Sequence, residues 1–103
     1  MIRYEVTLQV KNKIEKAFSK WLEPHVKKML EFDGFSKATI HYEASYTPNY
    51  YTIIICYSVD SINNLKYYFN NNSTAMRNEG LNAFPGQFTA MRKIFDGDLE
   101  INL

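Results

Sequence analysis

The chain has 103 residues, enough for one hydrophobic core and too few for two of ordinary size. Its hydrophobic fraction of 46% and charged fraction of 22% exclude an intrinsically disordered protein. Twelve basic and eleven acidic residues leave a net charge of +1, which argues against a broad surface for nucleic acid or an anionic membrane. We therefore expect one folded domain over residues 1–103.

The cysteine content indicates whether to expect a disulfide or a structural metal, and the N-terminal sequence indicates the cellular compartment. The single cysteine, Cys56, has no partner for an internal disulfide. No Cys/His spacing is typical of structural zinc, so we predict neither a metal nor a cofactor. The chain opens directly on a strand pattern, without a basic and then apolar signal region or a long apolar span. We therefore expect a cytoplasmic protein.

The first half of the chain alternates and then changes to helical spacing. Residues 2–10 place apolar and polar side chains on opposite faces, which predicts a strand. The next segment repeats apolar residues at intervals of three and four, which predicts one buried helix stripe. The stripe consists of Ile14, Phe18, Trp21, Leu22, His25 and Met29. Pro24 predicts a kink or a second helix start, because proline lacks an amide donor. A second strand is predicted over residues 35–46.

The second half contains the most apolar strand. Residues 50–59 are β-branched and aromatic, and the middle of this run is apolar on both faces. A strand of that kind needs cover on both sides of its sheet. A helix is then predicted from Asp60 or Ser61 as far as Asn82, with an Asn-rich stretch that we expect to loosen its middle. Pro85-Gly86 turns the chain into a fourth strand over residues 87–95, followed by a short tail that is a candidate to pair with a sheet edge.

The element order predicts the fold class. Strand, helix, strand, strand, helix, strand is the ferredoxin-like βαββαβ arrangement of an α+β protein, with a four-stranded antiparallel sheet and two helices on one face. The other face carries Ile54 and Cys56 and needs its own cover. Two such sheets packed face to face form a dimeric α+β barrel, and two-fold dimers are the commonest oligomers. We therefore expect a homodimer.

Two segments resemble a known family. The run from Trp21 to Val26, followed by Met29-Leu30, resembles the first-helix signature of domain of unknown function 4286, a bacterial family. The chain's ending is similar to that family's pattern Arg … Phe-x-Gly-x-Phe … Phe-Arg. The matching residues are Arg77, Phe84-Pro85-Gly86-Gln87-Phe88 and Met91-Arg92. The resemblance implies a ferredoxin-like domain akin to dimeric α+β barrel proteins, and it carries over no activity.

His25 is the strongest candidate for chemistry because it lies in an otherwise apolar stripe between Trp21 and Met29. An imidazole there can act as a base or bind a ligand, since its charge changes near neutral pH. The alternative is a structural histidine that donates to a backbone carbonyl or a Tyr hydroxyl. We predict a pocket between helices and sheet, with His25 as candidate catalytic residue. The predicted ligand-binding residues are Trp21, His25, Tyr42, Phe88 and Arg92.

The remaining candidates are weaker. Arg77 and Arg92 offer planar guanidinium groups for a carboxylate or phosphate, but arginines more often form an ion pair with a nearby acid. The alternation of the fourth strand leaves open which face Arg92 occupies. His41 falls on the polar side of the second strand, opposite to His25, so the two histidines are not expected to share a metal.

Three functions remain open. The leading hypothesis is a homodimer that binds a small apolar or aromatic ligand. The second is a cofactor-independent monooxygenase or isomerase, with His25 as base and Arg92 as anion holder. The third is a regulatory module that binds another protein through its exposed edge or tail. An RNA-recognition domain shares this topology, but residues 50–59 include no basic side chain, which disfavours nucleic acid as a partner.

Overall fold

The computed structural model describes residues 1–44 and 47–103, and four strands and three helices lie within them. The strands are β1 (Ile2–Lys11), β2 (Phe35–Tyr42), β3 (Tyr50–Val59) and β4 (Phe88–Asp96). The helices are α1 (Glu15–Met29), α2 (Ile62–Asn71) and α3 (Ser73–Ala83), and a short 3-10 turn (Asn12–Ile14) precedes α1. The predicted extension of the second strand to Ser45 and Tyr46 lies outside the described residues.

The strands form one antiparallel sheet in the order β2-β3-β1-β4. The two central strands pair along their whole length, from Ile2 opposite Val59 to Lys11 opposite Tyr50. This is the predicted ferredoxin-like arrangement, which is confirmed. β1 alternates strictly and β3 is the most apolar strand, and their central position gives their inward side chains the deepest burial.

The core lies between the helices and one face of the sheet. α1 contributes its buried side chains Phe18, Leu22, Val26 and Met29. β3 contributes Ile53, Ile55, Tyr57 and Val59, each at most 2% exposed. Trp21 and His25 lie at the edge of the α1 stripe and are only partly buried. Val26, rather than the predicted His25, is therefore the one of these two adjacent residues that is buried in the core.

The helices differ from the predicted pair in two respects. The second predicted helix is two helices, because Asn72 adopts a non-helical conformation with φ −128° between α2 and α3. Asparagine is a poor helix former, since its side chain competes for backbone hydrogen bonds. The Ser73 hydroxyl donates to the carbonyl of Phe69 across this junction at 2.9 Å. α1, in contrast, runs through Pro24 as one helix, so no second helix starts there.

The opposite face of the sheet has no helix over it among the described residues. The register places Ile54 of β3 opposite Thr7, and Met91 of β4 on the other side of Thr7. Met91 is 65% exposed and Phe95 is 43% exposed on this face. The tail after β4 joins neither edge of the sheet in the described part of the chain. None of the described helices has the length and apolar character needed to cross a membrane.

Candidate functional site

A cavity of about 60 Å³ lies between the helices and the helix-covered face of the sheet. Six aromatic side chains contribute to its lining. They are Tyr4, Phe18, Trp21, Tyr57, Tyr68 and Phe88. This volume is smaller than the roughly 150 Å³ that accepts benzene in a protein core. A ring-sized ligand therefore enters only with outward movement of side chains, or lies partly in the cavity mouth.

A glycine shapes one wall of the cavity. Gly80 of α3 is buried, and a Cβ at this position would lie 3.0 Å from Cζ of Phe88 and 3.2 Å from Cη2 of Trp21. The missing side chain thus allows both rings to lie directly against the helix backbone. Phe18 packs between them from α1, with ring centroids 5.5 Å from Trp21 and 5.4 Å from Phe88. The rings of Trp21 and Phe88 form this wall because α3 has no side chain at Gly80.

His25 is a polar group of the cavity lining with a charged partner. Its ring stacks on Trp21 at a centroid distance of 4.5 Å and an interplanar angle of 21°. Its Nδ1 atom lies 3.3 Å from Oε1 of Glu79, and the Lys28 ammonium pairs with the other carboxylate oxygen. A carboxylate can only accept a hydrogen bond, so Nδ1 carries the hydrogen. The neutral ring therefore has its lone pair on Nε2.

The electrostatics of this cluster keep the imidazole neutral and the acid ionised. Burial lowers the pKa of His25 below its ordinary value, while the hydrogen bond and the charge of Glu79 act in the opposite direction. The hydrogen bond from Lys28 lowers the pKa of Glu79, and the bond from His25 adds to that effect. An imidazole held by a carboxylate at Nδ1 is suited to accept a proton or a hydrogen bond at Nε2.

Glu79 is the site residue that sequence reasoning missed. It lies 54 positions after His25, and the structural alternative considered for His25 was a backbone carbonyl or a Tyr hydroxyl rather than an acid. His25 and Lys28 are three residues apart on α1, which places both on one helix face. That spacing is the only local signal for an acidic partner, and it does not say which acid of the chain approaches.

The two arginines come to the same cavity from different elements. Arg92 pairs in register with Val6, whose side chain is buried beneath the helices, so Arg92 lies on the helix-covered face. Arg77 comes from α3, and both arginines line the cavity while remaining exposed. The cavity therefore reaches the surface between them. Within residues 1–44 and 47–103, neither guanidinium takes part in an ion pair, unlike the structural role considered for them.

Tyr42 does not line the cavity, so the structure does not bring it together with the other predicted ligand-binding residues. It ends β2 opposite Ile53 and is 60% exposed. β2 forms the sheet edge farthest from β4, whereas the cavity is built on β1, β3 and β4. His41 pairs with Ile54 on the opposite face of the sheet from His25. The described residues contain no group of three or more His, Cys, Asp or Glu side chains placed to hold a metal ion.

Solved structures share this fold at low sequence identity. A proposed antibiotic biosynthesis monooxygenase from Deinococcus radiodurans has a TM-score of 0.74 at 13% identity, over 100% of this chain and 98% of that chain. The heme-degrader MhuD from Mycobacterium tuberculosis, solved with two hemes in its active site, gives 0.68 at 13%, over 99% and 100%. SnoaB from Streptomyces nogalater, a cofactor-independent oxygenase, gives 0.66 at 12%, over 97% and 96%. Identities this low show the fold alone.

Sequence comparison leads to a family. None of the curated proteins matches this sequence. The family model described as domain of unknown function DUF4286 matches residues 1–97. The match includes the first-helix segment and the ending around Phe84 to Arg92, which carried the resemblance in the sequence. The chain therefore belongs to the DUF4286 family.

Proposed function

We propose that this protein is a homodimer whose subunits each bind a small aromatic or apolar ligand in the cavity between helices and sheet. The observation that carries the proposal is a neutral imidazole, held by a carboxylate, among aromatic and aliphatic side chains of the lining. Ligand sites are typically apolar with a few placed polar groups. Trp21 and Phe88 would contact the ring, His25 would accept a hydrogen bond at Nε2, and Arg92 would lie at the mouth.

Phenol is a suitable probe because it combines one ring with one hydroxyl donor. Trp21 is the only tryptophan of the chain and lines the cavity, so its fluorescence reports on this site. We expect saturable quenching of Trp21 by phenol, with about tenfold weaker binding in His25→Gln because a hydrogen bond to the ligand is lost. His41→Gln, on the opposite face, is the matched control and should bind phenol like the parent. Quenching that never saturates would remove the ligand-binding proposal.

A second candidate function is proton abstraction followed by reaction with dioxygen. The His25–Glu79 pair favours it, because an oriented neutral imidazole is a general base. Nε2 would take the proton of an acidic phenol or activated C–H group, and the resulting carbanion would pass one electron to dioxygen. The substrate radical and superoxide would then combine to form a C–O bond, and the imidazolium would return the proton to give a hydroperoxide. SnoaB, which shares the fold, is described as a cofactor-independent oxygenase.

Oxygen consumption with an easily oxidised polyphenol tests this activity. We expect His25→Ala to lower the rate by about 10²- to 10⁴-fold, which is the usual contribution of a general base. His41→Ala should retain the parental rate. Circular dichroism shows whether each variant is folded, so loss of activity can be separated from loss of structure. A folded His25→Ala variant with the full rate would exclude His25 as the base.

The homodimer part of the proposal concerns the uncovered face of the sheet. Met91 and Phe95 are exposed on this face, and a second sheet would remove these apolar side chains from water. Sedimentation equilibrium should give twice the chain mass of 12.1 kDa. Met91→Lys should favour the monomer, since it places a charge inside the interface. Ile62→Lys on α2, at a position 39% exposed, is the control and should leave the mass unchanged. A parent protein of single-chain mass at all concentrations would contradict the dimer.

A further inference from the structure

Two positive charges lie at the cavity mouth, and neither has an acidic partner in the part of the chain that the structure describes. Arg92 extends from β4 and Arg77 follows the buried Met76 on α3, and both line the cavity. The chain has only one other arginine, Arg3, which lies on the opposite face of the sheet and pairs with Asp98 at 3.0 Å. Arg3 therefore has an acidic partner, whereas the two cavity arginines have none among the described residues.

Nothing on the cavity lining compensates these charges. The described lining contains no Asp or Glu side chain. Glu79, two residues after Arg77 on α3, is already paired with His25 and Lys28. Burial raises the pKa of the Tyr68 hydroxyl, and the charges of Arg77 and Arg92 oppose that rise, so both guanidinium groups act on the same buried hydroxyl from nearby.

This arrangement suits a ligand with an apolar body and an anionic end. A guanidinium group presents a planar fork of donors that matches a carboxylate in a two-point hydrogen bond. Two like charges beside low-dielectric aromatic walls also repel each other, and an anion between them removes that repulsion. A ring that lies partly in the cavity mouth, or moves side chains outward, contacts the aromatic lining, and the two arginines then select rings that carry a negative charge.

We propose that the cavity binds an aromatic carboxylate, with the ring against Trp21 and Phe88 and the carboxylate between Arg77 and Arg92. This inference rests on the proposed ligand-binding function and names the class of ligand. His25 then faces the ring rather than the anion, because its ring stacks on Trp21. The two arginines determine the charge of the ligand, and the aromatic walls determine its shape.

Three small probes separate charge from shape. Benzoate and benzamide have nearly the same shape and differ in charge, while acetate has the carboxylate without the ring. We expect benzoate to quench Trp21 fluorescence with at least about tenfold higher affinity than benzamide, since hydrogen bonds to charged groups are the stronger ones. Acetate should give no saturable quenching. Raising the salt concentration should lower the affinity for benzoate and leave the affinity for benzamide unchanged.

Three matched variants locate the anion. Arg77→Gln and Arg92→Gln should each lower the affinity for benzoate by about tenfold and leave that for benzamide unchanged. Arg3→Gln removes the third arginine of the chain outside the cavity and should affect neither probe. Both cavity arginines are exposed, so we expect the variants to fold, and their thermal unfolding checks this.

Each outcome decides between the two proposals. Equal affinities for benzoate and benzamide would overturn the carboxylate inference and leave the ligand-binding proposal standing. A benzoate preference that survives in both cavity-arginine variants would place the anion elsewhere and also overturn the inference. No saturable quenching by either ring probe would overturn both proposals together.

Discussion

Replacing Gly80 with alanine tests the aromatic wall of the cavity. The new Cβ would lie 3.0 Å from Cζ of Phe88 and 3.2 Å from Cη2 of Trp21. Carbon atoms pack best at about 3.5–4.0 Å, so the methyl group would overlap the Phe88 ring by about 0.5 Å. The two rings must therefore shift away from α3 and into the cavity.

Two opposing effects set the magnitude. Alanine is favoured over glycine in a helix interior by about 1 kcal/mol. Overpacking a tightly filled region costs about 1–3 kcal/mol. We expect Gly80→Ala to lower the free energy of unfolding by about 1 kcal/mol, which lowers the midpoint of thermal unfolding by about 4–8 °C for a domain of this size. The affinity for phenol should fall as well, because the displaced rings occupy the cavity.

Urea and thermal unfolding followed by circular dichroism measure the stability, and Trp21 emission follows the ring displacement. Asn78→Ala is the matched control, because Asn78 is exposed on the same helix and gains helix propensity without a steric cost. This control should be more stable than the parent by about 0.5 kcal/mol. A Gly80→Ala variant stabilised by the full propensity difference, with unchanged Trp21 emission, would refute the close packing of the rings on α3.

Three further predictions concern protonation, packing and capping. The lowered pKa of His25 means that the folded state binds fewer protons than the unfolded state. The resulting stability is complete above about pH 6.5 and is lost as the pH falls through the folded-state pKa. Urea unfolding between pH 5 and pH 7 should show this rise, and His25→Gln should reduce it. Phe18 is fully buried, so Phe18→Ala should cost about 3–5 kcal/mol. Ser61 accepts a hydrogen bond from the Asn64 backbone amide at the start of α2, so Ser61→Ala should lower the free energy of unfolding by about 1 kcal/mol. Chemical denaturation measures the loss of stability in the Phe18→Ala and Ser61→Ala variants.

Each of these predictions has a control or a contradicting result. His41→Gln should keep the parental pH dependence, and the same slope in the His25→Gln variant would show that another group titrates. Tyr67 is 59% exposed, so Tyr67→Ala should change stability by less than about 0.5 kcal/mol and calibrates the Phe18 result. A Ser61→Ala variant with parental stability would mean that water caps α2 equally well.

Local pattern was sufficient for the strands. β3 has the predicted bounds, β1 ends one residue later than predicted, and β4 begins and ends one residue later. β2 ends at Tyr42, short of the predicted Glu43 and Ala44. Alternation succeeds because each strand buries one face whatever its neighbour is. The same reasoning predicted that His25 and Trp21 lie near the core. It placed His25 at the centre of the stripe, whereas Val26 is the buried residue there, because apolar spacing alone does not resolve which of two adjacent positions faces the sheet.

The tertiary structure alone decided how remote residues meet. Strand order separates Tyr42 from the cavity, since β2 is the edge farthest from β4. Register places Arg92 opposite Val6, and the approach of α3 to α1 brings Glu79 to His25 across 54 residues. The sequence by itself determined which faces are apolar, because burial of a face depends on local spacing. Contacts between distant segments depend on the packing of the whole chain, which local spacing does not encode.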